Sequence, residues 1–83
     1  MQITLHVRTE PHTEKDDTGA ITFDGNKVIG EVKRGDEILY TKSVITADTI
    51  ESVCGVKDMV GLEIEIWAVQ NTGYMPTTDA LPA

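Results

Sequence analysis

Three side chains of this chain could act as a base or a nucleophile near neutral pH: His6, His12 and Cys54. Nucleophilic catalysis needs a serine or cysteine beside a base that a third group orients. His6 lies on the polar side of an alternating segment, and His12 follows a proline in a polar stretch. Cys54 belongs to an apolar helical pattern, which predicts a buried thiol. We therefore expect a protein that is not an enzyme and that needs no cofactor.

The acidic stretch EKDDTG, which begins at Glu14, starts like a calcium-binding loop. Glu14, Asp16 and Thr18 alternate, and Gly19 takes the sixth position. The twelfth position, where such loops carry a bidentate glutamate, is Gly25. Two histidines and one cysteine that lie far apart do not form a zinc site either. The stretch predicts a solvated acidic loop with no bound metal.

Carboxylates are the groups that the chain has in excess. Fourteen Asp and Glu residues stand against seven Lys and Arg, a formal net charge of −7 on 83 residues. Such a surface repels nucleic acid and anionic membranes, and it attracts basic protein surfaces. The charge therefore argues against direct nucleic-acid binding and favours a basic protein as the partner.

Composition and length indicate one small globular domain. The single cysteine, Cys54, excludes an internal disulfide framework and indicates a reducing compartment. No secretory signal and no apolar run of membrane-spanning length are visible. We expect a cytoplasmic protein without membrane contact, with a β-rich domain over residues 1–70 and a loosely ordered tail over 71–83.

Alternating apolar and polar residues predict four strands before residue 46. Pro11 is expected to end the first strand. Asp24-Gly25-Asn26 is expected to turn the chain between the second and the third, because Gly and Asn tolerate positive φ. Arg34-Gly35-Asp36 spells an integrin-binding tripeptide, but a hairpin turn needs a glycine there in any case. The predicted segments are a strand over 2–10, a polar acidic loop over 11–20, a strand beginning at 21, and strands over 28–33 and 37–45.

The period changes after residue 45. Thr46 or Asp48 is expected to cap a helix, with Glu51 completing a capping box. Ile50, Val53 and Cys54 form one apolar face of this short helix, and Gly55 stands where a left-handed C-cap would end it.

Residues 62–69 (LEIEIWAV) alternate again and predict a last strand, with Glu63, Glu65 and Trp67 on one side. The order β-β-β-β-α-β indicates an α+β, β-rich fold. It would be a mainly antiparallel sheet of about five strands with one short helix.

The segment 44–66 joins the short helix through Gly55-Val56-Lys57 to the strand Leu62-Glu63-Ile64. It resembles the swapped-hairpin domain of the AbrB/MazE class of bacterial regulators and antitoxins. The resemblance implies an intertwined dimer that binds DNA through basic residues. On this chain the helix carries Asp48 and Glu51 in place of Arg or Lys, so the resemblance stands as an alternative interpretation.

The leading interpretation is a small acidic inhibitor of the kind that phages and mobile elements encode. It would act as a DNA mimic and occupy the basic surface of a host histone-like nucleoid protein, nuclease or RNA polymerase. Trp67 beside two glutamates favours an interface. The predicted partner-binding residues are Glu10, Glu14, Asp16, Asp17, Asp36, Glu37, Glu63, Glu65 and Trp67.

Two further expectations concern assembly. We expect a homodimer, formed through an exposed strand edge or an apolar face. Besides the AbrB/MazE-like regulator, the chain could be a structural or interaction subunit of a larger assembly. The acidity could also serve solubility alone.

Overall fold

A computed structural model describes residues 2–78 of the chain. It contains β1 (Thr4–Lys15), β2 (Ile21–Arg34), β3 (Glu37–Ala47), α1 (Ile50–Thr72) and β4 (Thr77–Thr78). The strand order in the sheet is β3-β2-β1-β4, with β1, β2 and β3 antiparallel and β4 parallel to β1. The predicted α+β class is therefore confirmed. Within the described residues the sheet is mixed and has four strands, so the expected count of about five is slightly off, and the expected order β-β-β-β-α-β is wrong.

The long hairpin of β1 and β2 overturns two predicted breaks. Pro11 pairs with Asn26 inside β1, and β1 continues to Lys15. Beyond Leu5, the outer edge of β1 pairs with no strand of the described chain, and an edge strand tolerates a proline whose missing N–H points away from its partner. The predicted loop over 11–20 therefore shrinks to the turn between β1 and β2.

The predicted turn at Asp24-Gly25-Asn26 is also wrong, because β2 runs straight through it. Gly25 pairs with His12 on one side and Ala47 on the other. A Cβ at this position would lie 2.4 Å from the Thr46 carbonyl oxygen and 2.7 Å from the Phe23 ring. The glycine thus makes room for the backbone of β3 and for the Phe23 ring. The turn predicted at Arg34-Gly35-Asp36 is confirmed, with Gly35 at φ 63°.

The helix α1 has 23 residues and is longer than the short helix that the sequence pattern predicted. Thr49, not Thr46 or Asp48, caps it, and its Oγ1 accepts a hydrogen bond from the Ser52 N–H at 3.1 Å. The helix passes through Gly55 and ends at Gly73, whose φ of 78° is the left-handed C-cap conformation. The predicted C-cap at Gly55 is therefore wrong.

The strand predicted over residues 62–69 is helical, and so is the strand that the AbrB/MazE resemblance implied. The physical reason lies in where α1 places its apolar residues. Val60, Ile64 and Ala68 follow each other at four-residue spacing and pack on the sheet. Leu62 and Ile66 point outwards. The two sets interleave, and together they imitate the two-residue period of a strand.

The core lies between the sheet and α1. From the sheet it takes Ile3, Leu5, Val28 and Val32, and from the helix Val60, Ile64 and Ala68. Gly30 allows the two layers to approach closely, since a Cβ there would lie 2.5 Å from a methyl group of Val60. This contact sets the position of α1 across β2.

The C-terminal part of the chain returns to the sheet. The boundary expected between residues 70 and 71 falls inside α1, and β4 pairs with Thr4 and Leu5. The Thr77 N–H donates a hydrogen bond to the Ile3 carbonyl at 3.0 Å. The rest of the predicted tail, residues 79–83, lies outside the described residues. Within residues 2–78, no helix combines the length and the apolar character required to cross a membrane.

Candidate interaction surfaces

The groups considered for catalysis stand on two elements, with His6 and His12 on β1 and Cys54 on α1. Cys54 is exposed on α1, so the predicted burial of its thiol is wrong. His12 lies on β1, where its Nε2 is 3.3 Å from Glu14 Oε2 and its ring lies 6.2 Å from that of Phe23. Within residues 2–78, no group of three or more His, Cys, Asp and Glu side chains is placed to hold a metal ion.

One exposed acidic feature is the tip of the β1–β2 hairpin, residues 13–24, which we call the acidic arm. β3 reaches only as far as Gly25, so the arm continues as a two-stranded ribbon. All of its residues are exposed except Phe23, which is half-buried. The arm carries four carboxylates and one lysine: Glu14, Asp16, Asp17, Asp24 and Lys15. The arm therefore presents negative charge to solvent on both of its faces.

Asp16 holds the turn of the acidic arm in place. Its Oδ1 accepts hydrogen bonds from the Thr18 hydroxyl at 2.6 Å, the Thr18 N–H at 2.9 Å and the Ala20 N–H at 3.0 Å. These bonds, that of the Thr18 hydroxyl foremost, hold the pKa of the Asp16 carboxyl below its usual value. Asp16 is thus a structural residue of the arm as well as one of its charges.

Asp36 and Glu37 lie at the opposite end of the molecule. They follow β2, whose 14 residues span about 45 Å at the usual rise of a strand. The protein is 49 Å long, so the acidic arm and this turn occupy its two ends. Glu37 Oε1 accepts a hydrogen bond from Arg34 Nη2 at 2.8 Å, which partly neutralises the turn.

Glu63, Glu65 and Trp67 do not share a face, because they stand on a helix. Side chains that are two positions apart on a helix point in directions that differ by roughly 200°. Glu63 reaches towards β3 and accepts a hydrogen bond from Lys42 Nζ, and this bond raises the pKa of Lys42 above its ordinary value. Trp67 is half-buried and stacks on Tyr40 with ring centroids 4.6 Å apart. These contacts fix α1 on β3, and Trp67 serves this packing.

The predicted partner-binding residues thus fall into three regions and do not form one acidic surface. Glu14, Asp16 and Asp17 share the acidic arm, and Glu10 lies on β1 just before it. With Glu10 beside it, the arm region brings four of the nine predicted residues together.

The sequence interpretation missed a second surface, on the outer side of α1. We call Met59, Leu62, Ile66 and Val69 the α1 seam; each is between 44% and 58% exposed. Their spacing, i, i+3, i+7 and i+10, is the a/d pattern of a coiled coil. That signal was readable in the sequence, but the alternation from Leu62 onwards was interpreted as a strand.

Acidic residues follow one side of the α1 seam. Glu51, Asp58 and Glu65 stand seven residues apart, which places them about 10.5 Å apart along the helix.

Comparison of the chain with protein-family models, with curated proteins and with solved structures found no match.

Proposed function

We propose that the protein is a non-enzymatic acidic binding protein that occupies the basic, nucleic-acid-binding surface of another protein. The observation that carries the proposal is the acidic arm, where four carboxylates project on a ribbon only two strands wide. A ribbon of this width can enter a cleft lined with Lys and Arg, because neighbouring strands lie only about 4.8 Å apart. Long-range attraction would guide the encounter, and nucleic acid would compete for the same cleft.

The arm also meets the requirement of a fixed geometry. The Asp16 hydrogen bonds order its turn, and the Thr13 hydroxyl lies 3.4 Å from Asp24 Oδ1 across the ribbon. An ordered arm loses less conformational entropy on binding than a loose loop would. The proposal therefore rests on Glu14, Asp16, Asp17 and Asp24 of the arm and on Glu10 beside it. It assigns Asp36, Glu37, Glu63, Glu65 and Trp67 to other regions.

The test measures binding to purified basic DNA-binding proteins immobilised on a surface: a histone-like nucleoid protein, a nuclease and RNA polymerase. The arm variant Glu14→Gln/Asp17→Asn/Asp24→Asn keeps Asp16 and hence the turn. We expect it to lower the affinity for the bound protein at least tenfold. The matched control Asp36→Asn/Glu37→Gln/Glu65→Gln removes the same charge elsewhere and should change the affinity less than twofold.

Two further measurements decide between this function and simple solubility. Duplex DNA in excess should displace the protein. The affinity should also fall steeply between about 0.05 and 0.15 M salt, because salt screens the attraction between exposed charges. Binding that is insensitive to salt, or an arm variant that binds as the control does, would contradict the proposal.

A second function, as an interaction subunit of a larger assembly, is favoured by a different observation. The α1 seam leaves four large apolar side chains about half exposed on the outer side of the helix. Exposed apolar patches of this kind mark protein-protein contacts. An interface through the seam would be indifferent to the arm variant, so the same binding series distinguishes the two functions.

A further inference from the structure

The helix α1 is apolar on two opposite sides, although only one side packs within the chain. Val60, Ile64 and Ala68 are fully buried against the sheet. The α1 seam lies on the outer side, and its residues are about half exposed. The outer side of α1 therefore lacks a covering layer within the described chain. An exposed apolar patch on a protein surface commonly marks a contact with another molecule.

The seam forms one wall of a groove. Leu62, Ile66 and Val69 line a groove of about 310 Å³ together with Met75, which follows the helix C-cap. Met75 is 66% exposed, and the lining of the groove is almost entirely apolar. The groove accepts side chains of the a and d type from a second helix.

The charges beside the seam indicate the chemistry of that helix. Glu51, Asp58 and Glu65 take the same heptad position, which would be g if Met59 and Ile66 are a. On the other flank, Glu63 is already paired with Lys42. Residues at e and g positions set the choice of partner in coiled coils, and a row of carboxylates selects lysines or arginines.

A second copy of this chain fits the seam poorly. In a parallel pair of α1 helices, Asp58 would face Glu63 of the other copy. In an antiparallel pair, Asp58 and Glu65 would face each other. Both arrangements oppose like charges, on chains that each carry a net charge of −7. The homodimer expected from the sequence would therefore need another surface.

We propose that the α1 seam docks an amphipathic helix of a partner, with apolar residues at its a and d positions and Lys or Arg beside them. The site is independent of the first proposed function, because it lies on α1 and not on the acidic arm, and it rests on the second, for which it states the chemistry of the partner.

The test uses a fluorescently labelled synthetic peptide of about four heptads, with Ile and Leu at a and d and Lys at e and g. The matched peptide carries Glu at e and g. Fluorescence anisotropy with the full chain should show that the lysine peptide binds at least tenfold more tightly than the glutamate peptide. The variant Leu62→Gln/Ile66→Gln alters exposed side chains only, and it should weaken the lysine peptide at least tenfold with an unchanged circular dichroism spectrum.

Charge reversal distinguishes the effect of the acidic row on peptide preference from the effect of the net charge. Glu51→Lys/Asp58→Lys/Glu65→Lys should reverse the preference, so that the glutamate peptide binds more tightly. The matched control Glu10→Lys/Asp17→Lys/Asp36→Lys changes the net charge equally but lies off the helix, and it should keep the preference for the lysine peptide. This control also removes charge from the arm region, so failure of the proposed function and failure of the seam would show in different variants.

Three results would overturn the proposal. The first is equal affinity for the two peptides, and the second is a seam variant that binds the lysine peptide as the unchanged chain does. The third is a dimer in sedimentation equilibrium that Leu62→Gln/Ile66→Gln converts to a monomer, because a second copy would then cover the seam.

Discussion

The two sides of α1 carry the same kinds of side chain and meet different surroundings. On the inner side, Ile64 is fully buried between the helix and the sheet. On the outer side, Ile66 is 48% exposed. The comparison shows that residue type alone does not reveal which side of a helix builds the core. The inner side is identified by the sheet residues that meet it, such as Gly30.

The largest effect should come from truncating one isoleucine on each side. Ile64→Ala leaves a cavity in the core and should lower the free energy of unfolding by about 2–5 kcal/mol. Ile66→Ala removes a half-exposed side chain and should cost less than about 1 kcal/mol. Urea denaturation of both variants provides the measurement. If both substitutions cost the same, the outer side is buried in solution and the comparison fails.

Replacing two glycines should change the free energy of unfolding by smaller amounts, with a loss for one glycine and a gain for the other. In Gly30→Ala the new Cβ would lie 2.4 Å from Ile64 Cδ1, so the helix must move away from the sheet. We expect this overpacking to cost about 1–3 kcal/mol. In Gly55→Ala, on exposed helix, the new Cβ meets nothing within 4 Å, and the better helix propensity should add about 0.5–1 kcal/mol.

Thermal unfolding followed by circular dichroism checks the two signs. A loss of stability in Gly55→Ala would mean that the helix is not continuous through residue 55. The same loss of stability would support the short helix ending at Gly55 that the sequence pattern predicted.

The smallest effect concerns the two glutamates of the 62–66 stretch. Because Glu63 raises the pKa of Lys42, the pair stabilises the fold below the ordinary lysine pKa of about 10.4. That contribution is lost as the pH rises through the raised pKa of Lys42. Glu63→Gln should remove this alkaline loss of stability, and Glu65→Gln, its neighbour on another side of the helix, should leave it unchanged. Urea denaturation between pH 9 and about pH 12 tests this, and identical profiles for the two variants would contradict the ion pair.

The sequence predicted the fold class and the Arg34-Gly35-Asp36 turn, because these depend on local patterns. The alternation in the first residues of β1 could be recognised locally, because it requires only that one face of the sheet is covered. The fate of residues 62–69 depends on distant residues: Val60, Ile64 and Ala68 mark a helix only when the sheet surface that buries them is known. The turn prediction at Gly25 failed for a similar reason, because the Thr46 carbonyl oxygen that approaches this glycine belongs to β3, a distant part of the chain.

The candidate site was predicted in part. The acids of the arm were recognised from composition, but their separation from Asp36 depends on the length of β2, and β2 was divided by the wrongly predicted turn at Gly25. Nothing local shows that a glycine belongs to a 14-residue strand. The seam was missed because helix and strand periods coincide over a short stretch.

The close approach of β3 to Gly25 has a consequence for how the arm is aligned with the body of the protein. In a strand pair, a slip of one residue turns every side chain to the opposite face. Only a glycine leaves space for the Thr46 carbonyl oxygen, which would lie 2.4 Å from a Cβ at residue 25, and its neighbours, Asp24 and Asn26, both carry side chains. This contact therefore favours one register of β2 against β3. Since the arm continues β2, the same contact decides which of its carboxylates lie on each face of the sheet.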